Sequence, residues 1–266
     1  MKKIFTLLFF LPFSFCIAQQ FPCDGKLYFL RYNNSQNYVS YVDGYTTATP
    51  SVHDVAPLTA TNANALGGNP KDNYLYFLGT GNDLTRFDAN GNTTVVCPAL
   101  TNASRGCFDY LGRYWVVDNT LFANKLIAYD INTCTIVKGP YTVPITFSGI
   151  DLVFSASDCC FYMGDGGQVI KIDTNGNVVA NIAQGFGGGG SYGGFAIGSD
   201  GNLYGMPNNN SQGDYINLIW QQILPLELFT VSQVERERLE QTWLHFPVRH
   251  LFQLFLQLQQ AVVLSR

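Results

Sequence analysis

One short phrase, a polar turn followed by an aromatic strand, occurs five times and limits what this chain can become. It reads "CDGKLYFL" (23–30), "KDNYLYFLG" (71–79), "DYLGRYWVV" (109–117), "SDCCFYMG" (157–164) and "SDGNLYGM" (199–206). The aligned tyrosines, Tyr28, Tyr76, Tyr114, Tyr162 and Tyr204, stand 48, 38, 48 and 42 residues apart. A period of this size marks units that cannot bury their own apolar faces and must pack on their neighbours.

Two further phrases accompany each tyrosine strand. After it comes a strand, an Asp-led turn and a second strand, as in "NDLTRFDANGNTTVV" (82–96), "NKLIAYDINTCTIV" (124–137) and "GQVIKIDTNGNVVANI" (167–182), with "NYVSYVDGYTTA" (37–48) as the weakest copy. Asn90-Gly91 and Asn175-Gly176 predict two-residue hairpin turns with positive φ. The mixed apolar pattern of "VIKID" predicts a strand covered on both faces. Before the tyrosine strand lies an inner apolar segment, such as residues 150–154 or 194–197. Four strands per unit predict an all-β, β-propeller-like fold of about five blades, each of roughly 40–48 residues. A β-sandwich is the competing all-β reading, but it does not require near-identical phrases at this period.

The chain opens "MKKIFTLLFFLPFSFCIAQQ", two lysines, an apolar run and small residues at Cys16 and Ala18. This predicts a secretory signal peptide over residues 1–18, cleaved after Ala18, and so a secreted or cell-surface protein with no integral membrane span after cleavage. The full chain carries a net charge of −4, and no basic cluster follows the signal, which argues against nucleic acid as a partner. Six cysteines then remain: Cys23, Cys97, Cys107, Cys134, Cys159 and Cys160. An even count in an exported chain points to disulfides. Cys97 and Cys107 are close enough in sequence to staple one connection, while Cys159 and Cys160 each pair elsewhere or stay buried.

The ordered series "PCDGKLYF" (22–29), "NPKDNYLYFLG" (69–79), "LTRFDANGN" (84–92), "VIKIDTNGN" (169–177) and "SDGNLYG" (199–205) resembles an uncharacterised family of secreted bacterial β-propeller-like repeat domains. The resemblance covers residues 21 to about 214. It implies an extracellular or surface location, often as one module of larger adhesin-like proteins. It implies no catalytic residues.

The vocabulary changes at residue 216. No glutamate occurs up to Tyr215, and from Ile216 onward there is no aspartate, glycine or lysine. Family members close on a further turn-and-strand unit, which is missing here. Reading the degenerate codons of this stretch one nucleotide earlier makes glycine, Asn or Asp and that closing phrase available. We therefore divide the chain into a propeller-like domain, residues 19–215, and an out-of-frame tail, residues 216–266, with no domain of its own. The expected consequence is a propeller incomplete or unclosed at its C-terminal end.

The remaining motifs are the candidates for chemistry. "DANGN" (88–92) and "DTNGN" (173–177) place glycine fourth, where a calcium loop needs it sixth, so they predict turns. "GDGG" (164–167) predicts a turn as well. "QGFGGGGSYGG" (184–194) lacks the Lys-Ser or Lys-Thr ending of a phosphate loop. His53 and Asp54 are adjacent on a strand and so point to opposite faces. Trp115 and the tyrosines fit blade core better than sugar stacking. No catalytic, cofactor-binding or metal residue is assigned, and no cofactor is expected. The reading is a non-enzymatic binding or scaffold module for an unknown extracellular protein or glycan. The alternative is a metal-dependent hydrolase resembling the gluconolactonase propellers, which hold their metal through Glu, Asn and Asp at the axis.

Overall fold

The computed structural model describes residues 19–22, 24–33, 35–47, 50–60, 62–118, 124–144, 151–165, 168–184, 192–207 and 217–220. These form five antiparallel sheets in chain order. The first contains β1 (Leu27–Asn33), β2 (Gln36–Asp43) and β3 (Ser51–Leu58). The second contains β4 (Asn64–Gly68), β5 (Leu75–Leu78), β6 (Leu84–Phe87) and β7 (Thr93–Cys97). The third contains β8 (Ala103–Phe108), β9 (Tyr114–Asp118), β10 (Lys125–Asp130) and β11 (Thr135–Thr142). The fourth contains β12 (Leu152–Ser155), β13 (Cys160–Asp165), β14 (Gln168–Ile172) and β15 (Val178–Gln184). The fifth contains β16 (Tyr192–Ile197), β17 (Leu203–Pro207) and β18 (Asn217–Trp220). Each sheet is a meander, and the sheets are the blades of a β-propeller. No helix among the described residues is long and apolar enough to cross a membrane.

Packing follows the period-2 alternation of the strands. In β5, Leu75 and Phe77 join the apolar cluster shared with the first blade, whereas Tyr76 and Leu78 join the one shared with the third. In β9, Tyr114 and Val116 face the second blade, and Trp115 and Val117 the fourth. Both faces of a middle strand are thus buried, which explains the mixed apolar pattern of the sequence.

Register corrects one alignment. Leu75 lies opposite Phe87 and Phe161 opposite Ile172, each just before the Asp of the next turn. In the third blade Tyr114 lies opposite Tyr129 and takes that position. The counterpart of Tyr76 and Tyr162 is therefore Trp115, not Tyr114. The turn before it is also one residue shorter than in the second blade. Asn69 N–H reaches Tyr74 O in the second blade, but Asp109 N–H reaches Arg113 O in the third.

The Asn-Gly turns also differ from expectation. Gly91 and Gly176 have φ of +85°, but Asn90 and Asn175 are not in the positive-φ region. Gly91 N–H closes on Asp88 O, and Asp88 N–H on Asn92 O. This is a three-residue loop, a tight turn followed by a left-handed glycine. Asp88 sets it by accepting from the N–H groups of Asn90 and Asn92. Asp173 does the same for Asn175 and Asn177.

The ring closes. β8 touches β4 and β12, β16 touches β12, and β1 touches both β16 and β4. At the closing seam, Tyr45 Oη lies 2.8 Å from Ser199 Oγ and accepts from Ser199 N–H, while its ring packs edge-on to Tyr204. The expected incompleteness appears in strand count instead, since the first and fifth blades each have three described strands. β18 lies within the tail drawn from the sequence and pairs with β17 in the third-strand position. The signal segment, residues 1–18, and residues 221–266 lie outside the described residues.

The disulfide differs too. Cys97 at the end of β7 bonds Cys134 in the turn after β10, with Cα atoms 5.4 Å apart, and so joins the second blade to the third. Cys107 is a buried free thiol in the inner strand of the third blade, and its sequence proximity to Cys97 carried no pairing information. Cys159 and Cys160 are also free, the first of them exposed; Cys23 lies outside the described residues. The bond spans 37 residues of chain. Replacing both partners with alanine is expected to lower stability by about 2–4 kcal/mol in a denaturant titration under oxidising conditions. A loss under about 1 kcal/mol would show that the staple restrains little.

Candidate functional site

A cleft of about 230 Å³ opens between the first and second blades. Its floor is Phe21 and Leu75, both buried. Tyr28 and Tyr74 give it aromatic walls, and Asp24 and Asn73 stand at its rim. The local chain positions each group. Phe21 N–H donates to Asn73 O, and the Phe21 ring stacks on Phe87 and meets Tyr28 edge-on. Lys26 pairs with Asp24 at 2.7 Å and lies over the Tyr41 ring. Arg86 covers the Tyr74 ring at 4.7 Å. Burial and the Asp24 carboxylate raise the Tyr28 phenol, so it remains a donor at neutral pH. The cleft therefore offers apolar ring faces beside fixed donors and acceptors, a pattern suited to a small amphipathic group.

Most aspartates serve the frame. Tyr76 Oη donates to Asp72 at 2.6 Å, Tyr162 Oη to Asp158 at 2.5 Å and Tyr204 Oη to Asp200 at 2.6 Å. In the third blade the Trp115 indole N–H donates to Asp109 at 2.8 Å instead. Asp88 and Asp173 are partly desolvated, which opposes ionisation. The Asn92 and Asn177 side chains and the turn N–H groups outweigh that and hold both carboxyls below the usual range. The turn reading of "DANGN" and "DTNGN" accounts for every one of these contacts.

His53 and Asp54 do face opposite sides. His53 stacks on Tyr41, with its Nε2 3.0 Å from Ser51 Oγ, while Asp54 accepts from Ser40 and pairs with Arg31. Trp115 is fully buried and belongs to the core. Of the glycine-rich run, residues 185–191 lie outside the described residues, as do residues 166 and 167 of "GDGG". No group of three His, Cys, Asp or Glu side chains that could hold a metal ion occurs among the described residues.

One group escaped the sequence reading. Asp151 stands just before β12, where the inner strands of three blades converge. Its carboxylate accepts from Leu152 N–H at 2.8 Å and from Phe195 N–H on β16 at 3.4 Å, and it is also bonded by Gly106 N–H on β8. Burial pushes its pKa up to about 7, against those bonds and the charge of nearby Arg105. Arg105 and the Cys107 thiol flank it on β8, and both are buried. Asp151 and Arg105 are charges in otherwise apolar inner-strand phrases, and that contrast was the available signal.

Residues 29–218 match a protein family described as "Repeat of unknown function (DUF6923)". The chain belongs to this family. The match begins in β1 and ends inside β18, so it takes in all five blades of this DUF6923 member. No curated protein sequence matches it. Among solved structures, it is similar to a structural genomics protein of unknown function from Bacteroides thetaiotaomicron. The identity there is 14% and the TM-score 0.50, over 68% of this chain and 50% of that one. That likeness supports the fold, and this chain spans half the length of that protein. A chain of the nidogen/laminin complex matches at 12% identity and TM-score 0.47, over 73% of this chain and 79% of that one. Streptogramin B lyase matches at 16% and 0.42, over 73% and 63%.

Proposed function

We propose that this domain is an exported, non-catalytic recognition module whose ligand inserts one ring or side chain into the cleft between the first and second blades. The cleft carries the reading. Two tyrosine faces, an ion pair and asparagine amides line a space smaller than the roughly 300–1,000 Å³ that encloses a drug-sized molecule. It therefore suits one moiety of a larger extracellular glycan or protein, held against a rigid frame. Aromatic faces beside Asp and Asn favour a sugar ring, whose apolar face stacks while its hydroxyls bond. The apolar run at residues 4–17 supports export.

A glycan and extracellular-protein array followed by calorimetry tests this. Tyr74→Ala is expected to weaken binding about tenfold or more, the worth of one lost stacking contact of about 1.5 kcal/mol, in a chain that still unfolds in one cooperative transition. Absence of any ligand, or full affinity in Tyr74→Ala, counts against the cleft. Asp151 supports the hydrolase alternative, because a carboxyl with a pKa near 7 can exchange a proton at neutral pH. Chelator-sensitive turnover of lactones or esters that disappears in Asp151→Asn would favour that alternative over the module.

A further inference from the structure

Two adjacent thiols stand where β13 of the fourth blade begins. Four blades build the turn at this point in the same way. An aspartate accepts from the N–H two residues on: Asp24 from Lys26, Asp72 from Tyr74, Asp158 from Cys160 and Asp200 from Asn202. The residue between them lies in the left-handed region, with φ of +73° at Gly25, +55° at Asn73, +55° at Cys159 and +78° at Gly201. Glycine and asparagine suit that conformation better than cysteine. The turn itself therefore does not call for Cys159.

Cys159 and Cys160 are both free, the first exposed and the second half-buried. Their counterparts in the second blade, Asn73 and Tyr74, line the cleft. Partial burial, and then the Asp158 charge, raise the Cys160 thiol, so it keeps its proton at neutral pH. Lys171 is paired with that same carboxylate at 2.9 Å. The two sulfurs are thus unequal. Cys159 meets reagents from solvent directly. Cys160 is shielded and reacts best with a group already held beside it.

Covalent geometry decides what such a pair can do. Neighbouring residues joined by a trans peptide hold their Cα atoms about 3.8 Å apart. Most disulfides need about 4.4–6.8 Å. A bond between Cys159 and Cys160 would close a small ring under strain, and strained, exposed disulfides are readily reduced. Cys97 and Cys134, with Cα atoms 5.4 Å apart, fall within the usual range and form a staple. The adjacent pair suits reversible exchange instead.

We propose that Cys159 and Cys160 are a redox-active dithiol that exchanges with a low-molecular-weight disulfide and closes reversibly into a ring between neighbours. Cys159 loses its proton to water, and its thiolate attacks one sulfur of the disulfide. A bond forms at Cys159, the disulfide's own S–S bond breaks, and its other half leaves as a thiolate. Cys160 then gives up its proton and attacks the Cys159 sulfur, expelling the second half. The pair is oxidised by two electrons, the disulfide is reduced to two thiols, and both protons pass through solvent to the departing thiolates. This chemistry is independent of the cleft and its ligand. The probe is glutathione disulfide, added to the full chain at neutral pH and followed by acid quenching, alkylation and tryptic digestion. The tryptic peptide 139–171 contains Cys159 and Cys160 and no other cysteine, so its mass reads this site alone. The expected product is that peptide short of two hydrogens and free of glutathione. Cys160→Ser is expected to stop with one glutathione on Cys159. Cys159→Asn, which installs the residue that the second blade uses, is expected to take up glutathione about tenfold more slowly than Cys160→Ser, or slower still. Excess reduced glutathione is expected to reopen the ring while Cys97–Cys134 stays closed. A ring already closed in the isolated chain and opened by reduced glutathione supports the proposal equally. Glutathione that persists on the native chain, a dimer linked through this peptide, thiols still open to alkylation after millimolar glutathione disulfide, or a ring that reduced glutathione cannot open would overturn it.

Discussion

Trp115→Ala is expected to cost about 3–5 kcal/mol, enough to unfold a domain of ordinary stability at modest temperature. The side chain is fully buried on β9 and packs on Phe161 of the fourth blade at a ring separation of 5.0 Å. Deleting it opens the cluster that holds the third and fourth blades together, and that cluster cannot collapse without moving a blade. Its indole N–H is also a donor to the buried Asp109. Asp109 would still accept from Arg113 Nε at 2.7 Å and from the N–H groups of Leu111 and Arg113. Trp115→Phe separates the two effects, because it keeps an aromatic ring and removes the hydrogen bond. It should cost about 1–2 kcal/mol. Tyr76→Phe, in the equivalent position of the second blade, should cost a similar or smaller amount, because Tyr76 Oη bonds the less buried Asp72. Denaturant unfolding of the three variants decides the matter. A Trp115→Ala loss below about 1 kcal/mol would show that Trp115 is not the anchor the register makes it.

The same tryptophan shows what the sequence could convey. The repeat was legible because strands such as β5 and β9 are buried on both faces, so their blades need the same aromatic phrase at the same interval. Matching tyrosine to tyrosine, however, places Tyr114 in line with Tyr76. In "DYLGRYWVV" a tryptophan holds the matched position with a tyrosine just before it, and a one-residue slip moves a side chain to the opposite face. The Asn-Gly pairs were rightly placed at turns, but the preceding aspartates set the loop type through their own side chains. The partner of Cys97 was not legible, since 37 residues separate two atoms that only blade packing brings together. Asp151 is a similar case. Its three backbone donors come from three different blades, and no local pattern records that meeting. The cleft depends on Phe21 crossing from the N-terminal segment to Phe87 of the second blade, a contact between blades with no mark in either phrase.

Between about pH 4 and 7 this domain is expected to lose stability as the pH rises, and Asp151 is the cause. Its folded pKa of about 7 lies above the ordinary carboxyl value of 3.8. In that window the folded state keeps a proton that the unfolded chain has released, so folding becomes less favourable with each pH step. A shift of about three units corresponds to about 4 kcal/mol at full weight. Asp151 keeps some solvent access, and screening brings the expected loss nearer 2 kcal/mol. The other shifted groups act elsewhere. Asp88, Asp173 and Asp200 have depressed pKa values, so their contribution is present above about pH 4 and lost below it. Tyr204, raised to about 12 by burial and its bond to Asp200, weakens the fold only at strongly alkaline pH. Among the described residues, Arg105, the Cys107 thiol and the Tyr114 phenol are titratable groups that interact with Asp151. Burial raises the thiol and the phenol far enough that both stay neutral throughout the window. Asp151→Asn keeps one side-chain oxygen as an acceptor, as for the Leu152 N–H group, and removes the ionisation. Loss of the charge facing Arg105 shifts the overall level of stability but not its slope with pH. Denaturant unfolding at pH 4.5 and 7.5 should therefore show the native chain weaker at the higher pH and the variant nearly level. A native chain that is equally stable or more stable at pH 7.5, or a variant that keeps the full decline, would move the titration to another group and leave Asp151 ionised at the meeting of the three inner strands.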